Sequence, residues 1–330
     1  MKKLINHPDR VTLESIEGFA LAYPDLVKQV APHAIARKNA PISGKVGVVV
    51  GGGSGHEPLF IGWVGLGMAD AAVLGEVFAS PAPPLILQAA NAANGDRGLL
   101  FIYGNYAGDN MNFDMALDLA KEEGMEVESV RVWDDVASAP PEKVSERRGL
   151  AADFFAIKVS GAMAETKAPL SEVKRVAEKA RDNSRTYAVA LSSATIPSSG
   201  KPTFTIGENE MYFGIGAHGE KGVRRTPLLS ADETAEVLTG EVARDLGLGG
   251  SEEVNLLVNG YGSTTLMELF IVNRKVQGIL RERHISVHRT EVGNFLTTQE
   301  MAGCSVTMMR LDEELRRLCD APAMTPAYRL

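Results

Sequence analysis

The run Lys45-Val46-Gly47-Val48-Val49-Val50 leads without a break into Gly51-Gly52-Gly53-Ser54-Gly55-His56-Glu57-Pro58, so the second stretch sets four glycines and a histidine where an apolar strand meets the surface. Glycine at such a junction allows positive φ and close backbone approach. Several N–H groups are then free to converge on a ligand oxygen or anion. The imidazole of His56 has a reference pKa of about 6.5, nearest to neutrality among side chains, and it is aimed at whatever the backbone holds. This junction is the candidate active site.

Two nucleotide-binding patterns do not fit it. A dinucleotide fingerprint needs its third glycine three positions after the second, and counting from Gly51 and Gly53 puts His56 there. A P-loop needs Gly-Lys-Ser/Thr at its end, and none is present, so no cation is positioned for β and γ phosphates. The competing reading is a glycine-rich turn with a hydrogen-bonded structural histidine.

Strand-like apolar runs recur at residues 46–50, 98–103, 127–133, 186–191, 254–258, 285–287 and 304–310. Amphipathic stretches at 14–22, 112–123, 171–184, 234–246 and 264–282 separate most of them. This alternation predicts an α/β protein of two α/β domains with largely parallel or mixed sheets. The punctuating segment Ile196-Pro197-Ser198-Ser199-Gly200-Lys201-Pro202 places the division near 190, giving domains 1–190 and 191–330.

A chain of 330 residues, 45% hydrophobic and 23% charged, has enough apolar material for substantial cores. Its net charge of −8 gives no long-range attraction for nucleic acid or anionic membrane, so neither is an expected partner. Cys304 and Cys319 are the only thiols, too few for a disulfide framework or a zinc site. With no apolar stretch at the N-terminus long enough for a signal peptide or a membrane helix, a cytoplasmic location is expected.

Further glycine-rich loops add candidates. Gly104-Asn105-Tyr106-Ala107-Gly108-Asp109-Asn110 follows the apolar run Leu99 to Tyr103, and ligands in open α/β sheets bind beyond the carboxyl ends of strands. Asp109 there is placed to accept from a substrate hydroxyl or to orient His56 as a proton-abstracting pair, the alternative being a cap for a helix starting near Asn112. Gly75-Glu76-Val77-Phe78-Ala79-Ser80-Pro81 supplies another wall, with Ser80 either a contact or a turn residue. In Gly214-Ile215-Gly216-Ala217-His218-Gly219-Glu220 glycines flank His218, whose neutral ring nitrogen is a nucleophile toward a small carbonyl. A structural or solvent-facing histidine is the other reading of that loop.

Taken together, these four loops closely resemble the DhaK family, the substrate-binding subunit of dihydroxyacetone kinase. Ser192 to Thr195 with Pro197, Gly200-Lys201-Pro202, Arg224-Arg225 and Thr297 to Ser305 also look like its landmarks, so the likeness spans nearly the whole chain. The resemblance implies that His218 binds a short ketose covalently as a hemiaminal at C2, while His56 and Asp109 activate its terminal hydroxyl. Gly53, Ser54, Gly55, Ser80 and Gly104 are the expected substrate contacts, and no metal ligand or bound cofactor is expected on this chain. The resemblance further implies a separate DhaL-type nucleotide-binding subunit carrying ATP or ADP with Mg, recharged in some members by a phosphotransferase-system donor, and a homodimer.

One departure concerns the substrate. Members specific for dihydroxyacetone carry a lysine just before Asn-Tyr, where this chain has Gly104. Removing a long cationic side chain opens space, so a four-carbon ketose such as erythrulose stands beside dihydroxyacetone as the expected substrate. Asn259-Gly260-Tyr261-Gly262 also departs from the family pattern, as does a short stretch between Arg225 and Val254. The alternative function is a ketose-sensing co-regulator without kinase activity, and the presence of both His56 and Asp109 favours the enzyme.

Overall fold

The structure, a computed structural model, describes residues 2–330. Contacts between Cα atoms divide it into two compact units, one formed by residues 2–132, 153–180 and 315–330, the other by 133–152 and 181–314. The sequence places a single division near 190, whereas the chain changes unit at 132/133, 152/153, 180/181 and 314/315. Hydrogen bonding explains the difference. The strand at Ser184–Ala190 pairs with Gly303–Arg310, and Asp135 bridges to Thr186, so both earlier segments join the later sheet.

The first unit contains α1 (Val11–Ala22), β1 (Val27–Ala31), β2 (Ala34–Arg37), β3 (Gly47–Ser54), β4 (Ala71–Val77), α2 (Pro83–Ala93), β5 (Leu99–Gly104), α3 (Ala107–Glu122), β6 (Val127–Val132), α4 (Asp153–Glu165) and most of α5 (Leu170–Asp182). Its six strands run in the order β1-β2-β4-β3-β5-β6. Pairs β3/β4, β3/β5 and β5/β6 are parallel, with Val49 opposite both Ala71 and Phe101. Every residue of β3 is buried, which is why it reads as an unbroken apolar and glycine run rather than an alternation.

The second unit contains β7 (Ser184–Ala190), β8 (Glu210–Phe213), β9 (Arg224–Pro227), α6 (Ala231–Leu246), β10 (Glu253–Gly260), α7 (Leu266–Glu282), β11 (Ser286–Gly293) and β12 (Gly303–Arg310), while α8 (Glu313–Cys319) lies mostly in the first. Its sheet order is β11-β10-β12-β7-β8-β9, with β10/β11 parallel and the other pairs antiparallel. The expected two α/β domains with parallel and mixed sheets are what the chain forms. Helices α6 and α7 start with capping boxes, Ser230 with Glu233 and Thr265 with Glu268. Cys304 and Cys319 are buried and are not joined in a disulfide. Among the described residues no helix is long and apolar enough to cross a membrane.

Candidate active site

In the first unit the parallel strands β3, β4, β5 and β6 end along one edge of the sheet. The chain leaves β3 for β4 on one side, and β5 lies on the other side of β3, so the loops after β3 and β5 diverge. Such a switch point opens a crevice beyond the strand ends, where ligands of α/β sheets bind. The loops carrying His56 and Asp109 are these two loops.

Tight backbone packing builds the His56 side. A Cβ on Gly53 would lie 2.8 Å from the Ala79 nitrogen and 2.9 Å from the Phe78 Cα, so only glycine lets the two loops touch. Phe78 adopts φ +60, a left-handed conformation that costs an L-residue about 1–2 kcal/mol. Its N–H donates to the Ser54 carbonyl at 3.0 Å, and its ring stacks on His56 with centroids 5.0 Å apart. His56 is thereby held buried. Gly55, at φ +93, donates its N–H to both carboxylate oxygens of Glu57 at 3.1 Å. Burial pushes the Glu57 carboxyl up despite the backbone hydrogen bonds it accepts. The Ser54 hydroxyl is shared with Thr12 at 2.8 Å, and Thr12 also donates to Glu76 at 3.1 Å, so α1 holds the end of β3.

Helix α3 starts at Ala107, five residues before the expected start near Asn112, with Tyr106 at its N-cap and no side-chain capping bond. Asp109 is therefore the third residue of the helix rather than its cap, buried in the first turn where the helix dipole is positive. Ser80 packs beside it: the Ser80 Cβ is 3.5 Å from where a Cβ on Gly108 would sit, and the buried Ser80 hydroxyl has no hydrogen-bond partner. At Gly104 a Cβ would meet the Tyr106 ring at 3.3 Å and Asp153 Oδ2 at 3.6 Å. The first unit thus gathers Gly53, Ser54, Gly55, His56, Ser80, Gly104 and Asp109 at the ends of β3, β4 and β5.

His218 belongs to the second unit, in the loop between β8 and β9. Its Nδ1 is 2.8 Å from Glu220 Oε1, and its backbone N–H donates to Glu220 Oε2 at 3.0 Å. Burial raises the Glu220 carboxyl, but the His218 hydrogen bond and charge, helped by Arg148, outweigh it and hold the pKa at about 2. An ionised carboxylate only accepts, so Nδ1 carries the proton of this hydrogen bond, and in the neutral tautomer the ring lone pair lies on Nε2. A Cβ on Gly216 would fall 2.1 Å from Glu220 Oε2 and 2.7 Å from an Arg148 nitrogen, which explains the glycine. Thr298 donates to the Ala217 carbonyl at 2.7 Å and fixes the loop from below.

Behind Glu220, Arg148 donates from Nε to Asp135 at 2.8 Å and from Nη2 to the Gly214 carbonyl at 3.1 Å. Burial raises the Asp135 carboxyl to about 6 despite the Arg148 charge. Asp135 also accepts from the Ala137 N–H at 3.0 Å, closing a local turn. Its link through Arg148 to His218 is long-range and has no sequence signal. Glu220 had one: a carboxylate two residues after the histidine, across a glycine. Among the described residues no cluster of three or more His, Cys, Asp or Glu forms a metal site.

The fold and these loops define a small-molecule enzyme of the α/β class. The chain belongs to the Dak1 domain family, whose pattern matches residues 17–327. It is 40% identical to the dihydroxyacetone-binding subunit DhaK of PTS-dependent dihydroxyacetone kinase 2 of Listeria innocua, over the whole of both chains. It is 43% identical to D-erythrulose kinase of Mycolicibacterium smegmatis, over all of this chain and 57% of that longer protein. Among solved structures it resembles the dihydroxyacetone kinase operon co-activator DhaQ, with TM-score 0.90 and 30% identity over 96% of this chain and 98% of that one.

Proposed function

We propose that this chain is the ketose-binding subunit of a dihydroxyacetone-type kinase, acting on dihydroxyacetone or a four-carbon ketose. The observation that carries the reading is the Glu220 hold on His218 Nδ1, which turns Nε2 into a nucleophile. Nε2 adds to the C2 carbonyl, the carbonyl π pair moves onto oxygen and takes a proton, and Nδ1 then releases its proton to give the neutral hemiaminal. Glu220 steadies the ring while it is positive. His56, oriented by Asp109, accepts the proton of the terminal hydroxyl as that oxygen attacks phosphorus.

The phosphoryl group comes from a DhaL-type subunit holding ATP, or ADP recharged by a phosphotransferase-system donor, with Mg. The glycine run lacks the Gly-Lys-Ser/Thr ending of a P-loop, which supports a phosphate donor held by a module other than this loop. The working assembly contains two copies of the chain in a cytoplasmic complex.

The test is to mix the chain with a nucleotide-bearing subunit, phosphate donor, and either dihydroxyacetone or erythrulose, and to assay sugar phosphate. Turnover that disappears in His56→Asn and in His218→Ala is the expected result. The likeness to the DhaQ co-activator favours one second reading, a ketose sensor. Covalent ketose binding, seen by carbon NMR of C2-labelled ketose, without turnover under any donor would select it.

A further inference from the structure

The end of β5 is faced from both sides of its sheet. Tyr103 stacks on Phe113 of α3 with ring centroids 4.2 Å apart, so it faces α3. Successive strand residues alternate, which turns Gly104 to the opposite face, where α4 packs on β3 and β5. Helix α4 runs the length of that face. Its last residue, Glu165, lies 3.8 Å from Lys45, just before the start of β3, and its first, Asp153, has Oδ2 3.6 Å from the place of a Cβ on Gly104, at the end of β5. Asp153 is thus delivered to the same edge of the sheet as Asp109, from the other face.

Proton transfer at His56 and Asp109 makes no use of this second acid. A carboxylate at the start of a helix favours the helix whether or not a ligand is present, so its position alone says little. Its burial and its neighbour say more. Asp153 is 2% exposed, against 4% for His56 and 8% for Asp109, which sets it among the enclosed groups of the crevice rather than on the surface. A side chain at 104 would project between the Tyr106 ring, 3.3 Å from its Cβ, and Asp153 Oδ2. Glycine leaves that side of the carboxylate to a ligand, with an aromatic wall on one hand and a hydrogen-bond acceptor on the other.

From this juxtaposition we infer that Asp153 recognises the fourth carbon of a ketose, accepting a hydrogen bond from its C4 hydroxyl while the Tyr106 ring lines the carbon chain. Asp153 is then a specificity-determining residue, outside the proton transfer itself. The inference rests on the ketose-binding reading of the proposed function and narrows its substrate. A carboxylate accepts from hydroxyl donors, and hydrogen bonds to an ionised acceptor are roughly twice as strong as neutral ones. Dihydroxyacetone is one carbon shorter and has no C4 hydroxyl to give. The crevice therefore favours a four-carbon ketose by a polar contact as well as by the space at Gly104.

Titration calorimetry of the full chain with erythrulose and with 4-deoxyerythrulose of the same configuration at C3 tests it, in the parent, in Asp153→Ala and in Asp153→Asn. The ratio of the two affinities isolates the C4 hydroxyl, because a variant that merely loosens the start of α4 weakens both ligands alike. The parent should bind erythrulose about 10–100-fold more tightly than the deoxy analogue, the scale of a hydrogen bond to a charged group. Asp153→Ala should bring the ratio to within about 3-fold of unity. Asp153→Asn keeps the shape and a neutral acceptor, so it should leave a ratio of about 3–10, and it decides the matter if the alanine variant does not fold. A parent ratio near unity, or a ratio that the folded variants retain, overturns the assignment of Asp153 while leaving ketose binding in place. A parent that binds neither erythrulose nor dihydroxyacetone overturns the ketose reading itself, and this assignment with it.

Discussion

Glu220 holds His218 twice, at Nδ1 by one carboxylate oxygen and at the backbone N–H by the other. The glycine between them, Gly219 at φ +85, is what folds the side chain back onto its neighbour. One carboxylate therefore sets the ring orientation and the tautomer together.

Glu220→Gln keeps the shape but offers an amide that is as able to donate as to accept, so the tautomer is no longer fixed. Ketose affinity should fall by roughly 10–100-fold, in line with losses at other orienting partners, with the fold unchanged. Titration calorimetry with dihydroxyacetone and erythrulose measures it. Equal affinity in the variant would show that Glu220 does not control the nucleophile. In the parent, the carboxyl of Glu220 is held down at about 2 against an ordinary value of 4.5. Its stabilising contribution is thus complete above 4.5 and declines as pH falls toward 2.

Arg148 lies between two acids, the partly exposed Glu220 and the buried Asp135. Arg148→Met leaves Asp135 buried without its cation, at a cost of roughly 3–5 kcal/mol. The pH profile should also move. The carboxyl of Asp135 is raised to about 6 in the folded chain from an ordinary value of 3.8, so the native state holds the extra proton and stability falls as pH rises between them. Without the arginine that window should extend above pH 6. Urea unfolding from acid to neutral pH checks both effects, and an unaltered profile would argue against the pairing.

How far these relations could be read beforehand depends on their range. The strand runs at β3, β5, β6, β7, β10, β11 and β12 were legible because each is a compact apolar segment next to a turn. Helix α4 was not: Asp153 to Ala164 is buried all round, so it has no polar face to give a helical period. Strand β4, Ala-Ala-Val-Leu-Gly-Glu-Val, hides in alanine and glycine, although the loop after it was found. The start of α3 was placed late because Tyr106 is not a capping residue type. Loops with glycine, histidine and carboxylate announced themselves, whereas Arg148, Asp135 and Thr298 reach the His218 loop from distant positions. Sheet membership was illegible for the same reason, since pairing with β12 assigns β7 to the later sheet.

A buried charge cluster in the first unit offers a stability test away from the chemistry. Lys45, 2% exposed, pairs with Asp70, which also accepts from the Val48 N–H at 2.9 Å and lies 3.7 Å from Arg37. Asp70→Asn removes the main counter-charge of a buried ammonium and should cost roughly 3–5 kcal/mol. Lys45→Met combined with Asp70→Asn removes both charges and should recover at least half of that loss. Chemical denaturation of the two variants decides, and a double variant less stable than the single one would refute the argument.

The last prediction concerns substrate size. Gly104 ends β5 at the switch-point edge of the sheet and has an ordinary φ, so a side chain there strains no backbone. A Cβ would press on the Tyr106 ring at 3.3 Å and stand 3.6 Å from Asp153 Oδ2, within reach of small ring movements. Gly104→Lys should therefore fold, fill space beside Tyr106 and Asp153, and add a donor. If the glycine is what admits a fourth carbon, kcat/KM for erythrulose relative to dihydroxyacetone should fall by about 10–200-fold, the range that one carbon's worth of pocket space commands. Kinetics of the complete kinase with both ketoses give the ratio directly. An unchanged ratio, with both substrates still turned over, would move the size selection to another wall of the crevice, with the Phe78–Ser80 turn next in line because Ser80 holds the unpartnered hydroxyl.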